Sequence, residues 1–430
     1  MGGLAIGSLV ASRFVDFIRR PLLTYGLLEF GVALTALLVP YGIVLANLIQ
    51  ASILGGHPEP PEAGGISQIL FCFGIAFGLI LLPTALMGAT LPLLARHVVS
   101  RDEELGPKIG LLYAINTTGA VIGTIVAAFF CMPILGLGRT TWVGVFSNVL
   151  VFLIVLVLVR SHDDTLQSEG KGAVASGRES GNRKPSTGAS RGRKQHVRKQ
   201  RGNQLQGDPG RSSASAGELE VNGLEVNDKR YRWILVFAAL SGAVSFCYEI
   251  IFTRMLGQFL GGSVFAFATM LSGFLLGIAL GGGIASRLTK SRGDSAKWFV
   301  YAQAGVGICT LISYHLVDQM VVLPWDRWGG SSATLVQVIA SIVVLLPSST
   351  LIGATFPLAI RIYARDESEA ASGSARVYFW NVLGGIAGAM ATGILVLPLL
   401  QYHGAAALAI LINIMIAVAV CIFLKVPLLH

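Results

Sequence analysis

The chain has 430 residues, 53% hydrophobic and 13% charged, about half the charged share of a soluble domain. That balance excludes an ordinary water-soluble globule and places the chain in the membrane class. The net charge of +9 sits largely in one stretch, Ser161–Tyr231, so it does not mark a folded nucleic-acid surface, and no nucleic-acid partner is expected.

A helix that crosses a bilayer needs about 20 mainly apolar residues. The first half offers a short start at Gly2–Phe14, then runs near Leu22–Ile49, Ile69–Leu94, Ile109–Cys131 and Thr140–Val159. The opening apolar run lacks a positive region ahead of it and does not read as a cleavable leader. Next comes Ser161–Tyr231, which between Lys171 and Arg211 holds eleven Lys or Arg against only Glu179 and Asp208. Rich in Gly and Ser and without an apolar period, it is expected to be a disordered linker. The second half has runs near Trp233–Met255, Ser263–Leu288, Trp298–Val322, Leu335–Leu358, Val377–Leu400 and Ala405–Leu424. Cys72, Cys131, Cys247, Cys309 and Cys421 lie singly inside apolar runs, the pattern of buried small hydrophobes rather than of disulfides or metal ligands.

Basic residues gather at one set of helix ends: Arg13, Arg19 and Arg20; Arg96, Arg101 and Lys108; Arg160 and the linker; Arg287, Lys290, Arg292 and Lys297; Arg361, Arg365 and Arg376. By the positive-inside rule those ends, the linker and the C-terminus are cytoplasmic. The expected location is a bacterial inner (cytoplasmic) membrane, crossed many times. Besides the bilayer itself, anionic lipid headgroups are the nearest partner for the basic linker.

An internal repeat organises the chain. LAIGSLVASR (Leu4–Arg13) matches IALGGGIASR (Ile278–Arg287), and LLPTALMGATLPLLAR ending at Arg96 matches LLPSSTLIGATFPLAIR ending at Arg361. At one constant offset, Gly88, Thr90, Pro92, Asn116, Gly119, Gly123, Pro133 and Asn148 pair with Gly353, Thr355, Pro357, Asn381, Gly384, Gly388, Pro398 and Asn413. These are parallel repeats, an arrangement that some transporter folds use. The second copy begins with an extra helix near Trp233–Met255 that the first copy lacks. The expected architecture is therefore an all-α polytopic membrane protein of two homologous helical bundles, a shortened six plus six. The first bundle spans 1–160 and is N-terminally shortened, the linker spans 161–231, and the second bundle spans 232–430.

The segment LSGAVSFCYEIIFTRMLGQFLGGSVFAFATMLSGFLLGIALGGGIASR, with GATFPL and YFWNVLGGIAG after it, resembles the membrane region of the spermidine synthase-like membrane proteins. The resemblance covers every membrane run and excludes the linker. It implies a major-facilitator-like bundle, which in that family precedes a soluble aminopropyltransferase domain with a GGGDG loop. That loop is missing: the sole triple glycine, Gly281–Gly283, is followed by Ile284 inside an apolar run. No catalytic residue, cofactor or metal site is expected.

Ionisable and amide groups at membrane depth are the candidate binding residues, because each costs about 2.5–3.5 kcal/mol to insert when charged. Tyr248, Glu249 and Arg254 share one helix. Glu249 reads either as a cation or proton site or as a structural clamp answering Arg254 or a neighbouring helix. Glu29 aligns with Gln303, an asymmetric pair suited to an amine or to gluing helices together. Asn116 and Asn381, each with glycines three and seven residues on, fit close helix packing with an amide across the contact. Gly88 and Pro92, with Gly353 and Pro357, mark two candidate hinges whose freed carbonyls Thr90 and Thr355 could bond. Arg13, Asp16, Arg19 and Arg20 occupy a loop where major facilitators carry a Gly, Asp, Arg motif, matched here only in position. Two functions are in play: transport or membrane-side handling of a small cationic solute such as a polyamine, and membrane anchoring of an aminopropyltransferase whose catalytic domain is missing from the chain. A non-transporting scaffold is a third.

Overall fold

The computed structural model describes residues 1–53, 66–180, 231–289, 291–322 and 330–426. They fall into two compact units, Met1–Val155 with Arg230–His430, and Leu156–Lys229. Every regular element among the described residues is helical: α1 (Gly2–Phe14), α2 (Pro21–Ile53), α3 (Ile66–Val98), α4 (Asp102–Ile125), α5 (Met132–Ser180), α6 (Ile234–Leu260), α7 (Val264–Leu288), α8 (Arg292–Val322), α9 (Gly330–Tyr363), α10 (Ala370–Ala391) and α11 (Leu397–Leu424). Helix is the only open-chain solution here, since hydrocarbon offers no water to an unpaired N–H or C=O. Among the described residues, eight stretches are long and apolar enough to cross a membrane; two of them, Asp102–Ser161 (60 residues) and Glu367–Leu424 (58 residues), each contain two helices. The protein is a multi-pass helical membrane protein with its helices in contact with lipid. The 13-residue α1 is shorter than the roughly 20 residues a full crossing takes.

The repeat seen in the sequence recurs in the packing. In the first half, Gly7 lies against the Ala85 carbonyl and Gly88 against the Leu4 carbonyl, joining α1 to α3. In the second, Gly281 lies against the Thr350 carbonyl and Gly353 against the Ile278 carbonyl, joining α7 to α9. A Cβ at any of the four would overlap main-chain atoms, so only glycine permits this approach. The halves meet most extensively through two contacts that the pseudo-symmetry exchanges, α4 on α7 and α10 on α1. Gly106 packs on Thr289 in the first; their counterparts, Ala371 and Val15, share a buried cluster in the second.

Both halves also share a bend. A π-helical turn, Val126–Cys131 or Thr392–Val396, leads into a residue outside helical torsions, Gly136 (φ 74°, ψ 171°) or Gln401 (φ 55°, ψ −170°). These are the breaks in the helices. The candidate hinges behave differently: α3 runs through Pro92 and α9 through Pro357. Gly88 and Gly353 serve helix contact, and the Thr90 and Thr355 hydroxyls bond the carbonyls of Met87 and Ile352. The carbonyls that the prolines leave without donors are those four residues back, at Gly88 and Gly353.

The basic helix ends are where the two halves close on each other. Leu91, Ala95, Leu105 and Ile109 from the first half share one buried cluster with Ile234, Phe299, Ile360 and Val377 from the second. Tyr113 and Tyr378, equivalent in the repeat, flank Phe356 at ring separations of 4.7 and 5.7 Å. Beside them Arg361, 5% exposed, reaches Asp102 of α4 at 3.5 Å. Its counterpart Arg96 donates to the Val15 carbonyl at 2.6 Å and pairs with Asp16 at 3.5 Å. Arg292 donates to the carbonyls of Ile362 and Tyr363, capping α9, and lies over the Tyr231 ring.

Helix α5 extends to Ser180, beyond residue 160, where the linker is expected to begin. Residues 181–230 of the expected linker lie outside the described residues, as does Lys290.

Filling a glycine contact should be far more damaging than filling open space. Gly281→Leu is expected to cost about 3 kcal/mol through overpacking. Gly78→Leu, where a Cβ meets nothing within 4 Å, should stay within about 1 kcal/mol. Thermal midpoints of the detergent-solubilised protein, followed by size-exclusion profile, check the contrast.

Candidate functional site

The polar groups of the second half converge on α6. Val236, Leu240 and Arg254 are exposed along one stripe of this helix. At 100° per residue the opposite side carries Ser241, Ser245 and Glu249 at successive turns. Gln303 of α8, 1% exposed, donates to the Ser241 hydroxyl at 2.8 Å. Ser245 donates to the Ser241 carbonyl at 2.7 Å. From α10, Asn381 donates to the Ala238 carbonyl at 3.1 Å. From α11, Asn413 donates to the Tyr248 hydroxyl at 2.9 Å, both side chains buried. Each amide crosses between helices where no water competes.

Glu249 closes this stripe. It is half-buried, and among the described residues it makes no hydrogen bond and no ion pair. Arg254 does not answer it: five residues on, it falls on the exposed stripe, because five residues turn a helix through about 140° of separation. Arg254 instead lines a cavity of about 390 Å³ with Leu397, Pro398, Gln401 and Tyr402, beside the α11 bend. The clamp reading of Glu249 through Arg254 therefore finds no contact.

Of the candidate residues, Gln303 of α8 and Asn381 of α10 both reach α6, at Ser241 and Ala238, two to three turns along the helix from Glu249. The structure does not bring Glu29 and Asn116 to them. Glu29 is half-buried on α2 and bonds Tyr25, one turn earlier on its own helix. Asn116 is exposed on α4, with no side-chain hydrogen bond among the described residues. Glu29 and Gln303 occupy equivalent places without meeting.

Ser241, Ser245 and Asn413 were not singled out from sequence as site residues. The serines could have been found from their spacing of four, which sets them in line with Glu249. Gln401 carried no signal, since nothing about a glutamine announces a left-handed torsion. The triple glycine Gly281–Gly283 is helical, its first two members packed against Thr350 and Tyr113. It forms no phosphate- or nucleoside-binding loop. Among the described residues no cluster of His, Cys, Asp and Glu has the makings of a metal site.

No family model matches the chain, and no curated protein matches it by sequence. Among solved structures, the human organic anion transporter MFSD10 (TETRAN) is similar at 14% identity and a TM-score of 0.40, over 97% of this chain and 83% of that one. A likeness at that level adds nothing to the packing described above.

Two measurements probe the region. Ser241→Ala and Gln303→Leu, alone and together, should show a coupling of about 0.6 kcal/mol, the average for hydrogen bonds between membrane helices. Gln401→Gly should raise the thermal midpoint, releasing about 1 kcal/mol of backbone strain, while Gly136→Gln should lower it.

Proposed function

We propose that this protein carries a small cationic solute, an amine of the polyamine type, across the membrane. The reading rests on Glu249, a carboxylate at membrane depth on the polar side of α6, half-buried and with no protein partner among the described residues. Placing a charge there is costly, and an uncompensated one is the usual mark of an ion or substrate path. An amine would supply both the opposite charge and the N–H donors that the carboxylate lacks. Ser241 and Ser245 extend the same stripe with hydroxyls, and Gln303 holds the first of them in place. Parallel repeats meeting through exchanged contacts are the architecture in which one half rocks against the other. The resemblance of the sequence to the spermidine synthase-like membrane proteins agrees with an amine as solute. No feature of the described residues favours the anchoring of an aminopropyltransferase over transport.

Uptake of radiolabelled putrescine and spermidine into proteoliposomes tests this. The protein should take up amine above empty vesicles, and Glu249→Gln should reduce the rate by about tenfold or more with the elution profile unchanged. Absence of uptake, or an unaltered rate in Glu249→Gln, overturns the proposal.

A further inference from the structure

Two cavities stand in line along the exposed side of α6. One is the space of about 390 Å³ that Arg254 lines beside the Gln401 bend. The other, about 320 Å³, is a crevice between Ala243 and Cys247 of α6, Ala387 and Gly388 of α10, and Leu408 and Ile412 of α11. Cys247 precedes Arg254 by two turns, so the two fall on one face of α6 and differ in depth by about 10 Å. Val396 walls the crevice and Leu397 the cavity above it. The spaces are therefore neighbours, divided just where the π-helical turn Thr392–Val396 ends. Their chemistry differs. Of the described side chains that wall the crevice, only Cys247 and Thr392 carry a polar atom, and they bond each other. In the cavity above, the Arg254 guanidinium makes no hydrogen bond and no ion pair among the described residues, and no described carboxylate shares its wall. Depth matches the chemistry. Trp233, exposed at the basic end of α6, marks one membrane boundary, and from there to Arg254 the helix rises about 30 Å, the thickness of the hydrocarbon core. Arg254 thus stands level with phosphates, and the crevice level with acyl chains.

We infer that the two cavities together seat one phospholipid, in the leaflet away from the basic helix ends, with its phosphodiester on Arg254 and one acyl chain in the crevice. The guanidinium offers a phosphate two parallel N–H donors, and Gln401 and Tyr402 carry further donors in the same wall. An acyl chain gains nothing by leaving lipid for an apolar surface, since the two are equally apolar. The attraction therefore comes from the phosphate, and the crevice decides where the chain then lies. Both parts are needed: a phosphate without a chain leaves the crevice unfilled, and a chain without a phosphate has no reason to prefer it to the surrounding lipid. The inference is independent of the transport reading, because Glu249 lies about 140° around the helix from Arg254.

The probe is phosphatidylglycerol carrying a diazirine midway along one acyl chain, added to the delipidated full chain in dodecyl maltoside micelles and irradiated. Crosslinks are expected to map to α6 around 243–247 and to α10 around 387–391. They should fall about tenfold with Arg254→Gln, which removes a charge-assisted contact, and with Ala387→Leu, which fills the crevice. Both positions are exposed, so each variant should keep the wild-type elution profile. Diacylglycerol with the same diazirine chain should label these segments about tenfold less than the phospholipid. Equal labelling by diacylglycerol, labelling unaffected by Arg254→Gln or by Ala387→Leu, labelling spread evenly over the exposed sides of α2 and α5, or full displacement of the probe by inorganic phosphate would each overturn the inference.

Discussion

Everything in this bundle depends on how closely helix backbones approach. In hydrocarbon two apolar helices gain nothing by leaving lipid for one another, so association needs dense packing and polar contacts that work only at short range. Gly7, Gly88, Gly281 and Gly353 supply the first by putting one helix directly on the carbonyls of the next. Once α1 and α3, or α7 and α9, are set at that distance, the register of each half follows. So do the exchanged contacts that bring Tyr113, Phe356 and Tyr378 together between the halves.

Close approach also determines where polar groups can be used. An amide is an asset between helices only if an acceptor lies within about 3 Å, and in the second half α6 provides one three times over. The two halves are therefore alike in main chain and unlike in how their amides are spent. At the basic end, electrostatics takes over from packing. Arg361 is almost wholly buried and has a single carboxylate, Asp102, at 3.5 Å; its Nε and Nη1 find no acceptor among the described residues. A charge so placed ties the closure of that end to the position of α4.

Much of this was legible in the sequence, and for specific reasons. Spans could be read because the bilayer demands long apolar runs, and both double spans separate where the hydropathy dips, near Gly136 and Gln401. The repeat was legible because glycine at a backbone contact has no substitute, so Gly88 and Gly353 stay in register. The breaks were not, because prolines advertise kinks and the π-helical turns at Val126–Cys131 and Thr392–Val396 advertise nothing. Helices α3 and α9 continue through their prolines. Of the candidate site, Glu249, Gln303 and Asn381 were visible as polar residues at membrane depth. Their convergence on α6 was not, since it depends on which helix face each amide reaches. Glu29 and Asn116 looked equal to their counterparts because a sequence shows a residue and not what packs against it.

The bend at Gln401 repeats that at Gly136 to within about 20° in both torsions, although one residue has a side chain and the other has none. What passed intact from one copy of the repeat to the other was therefore a path for the main chain. At this corner a glutamine holds a conformation that suits glycine. In the second half the fold holds this turn against the preference of the residue that occupies it.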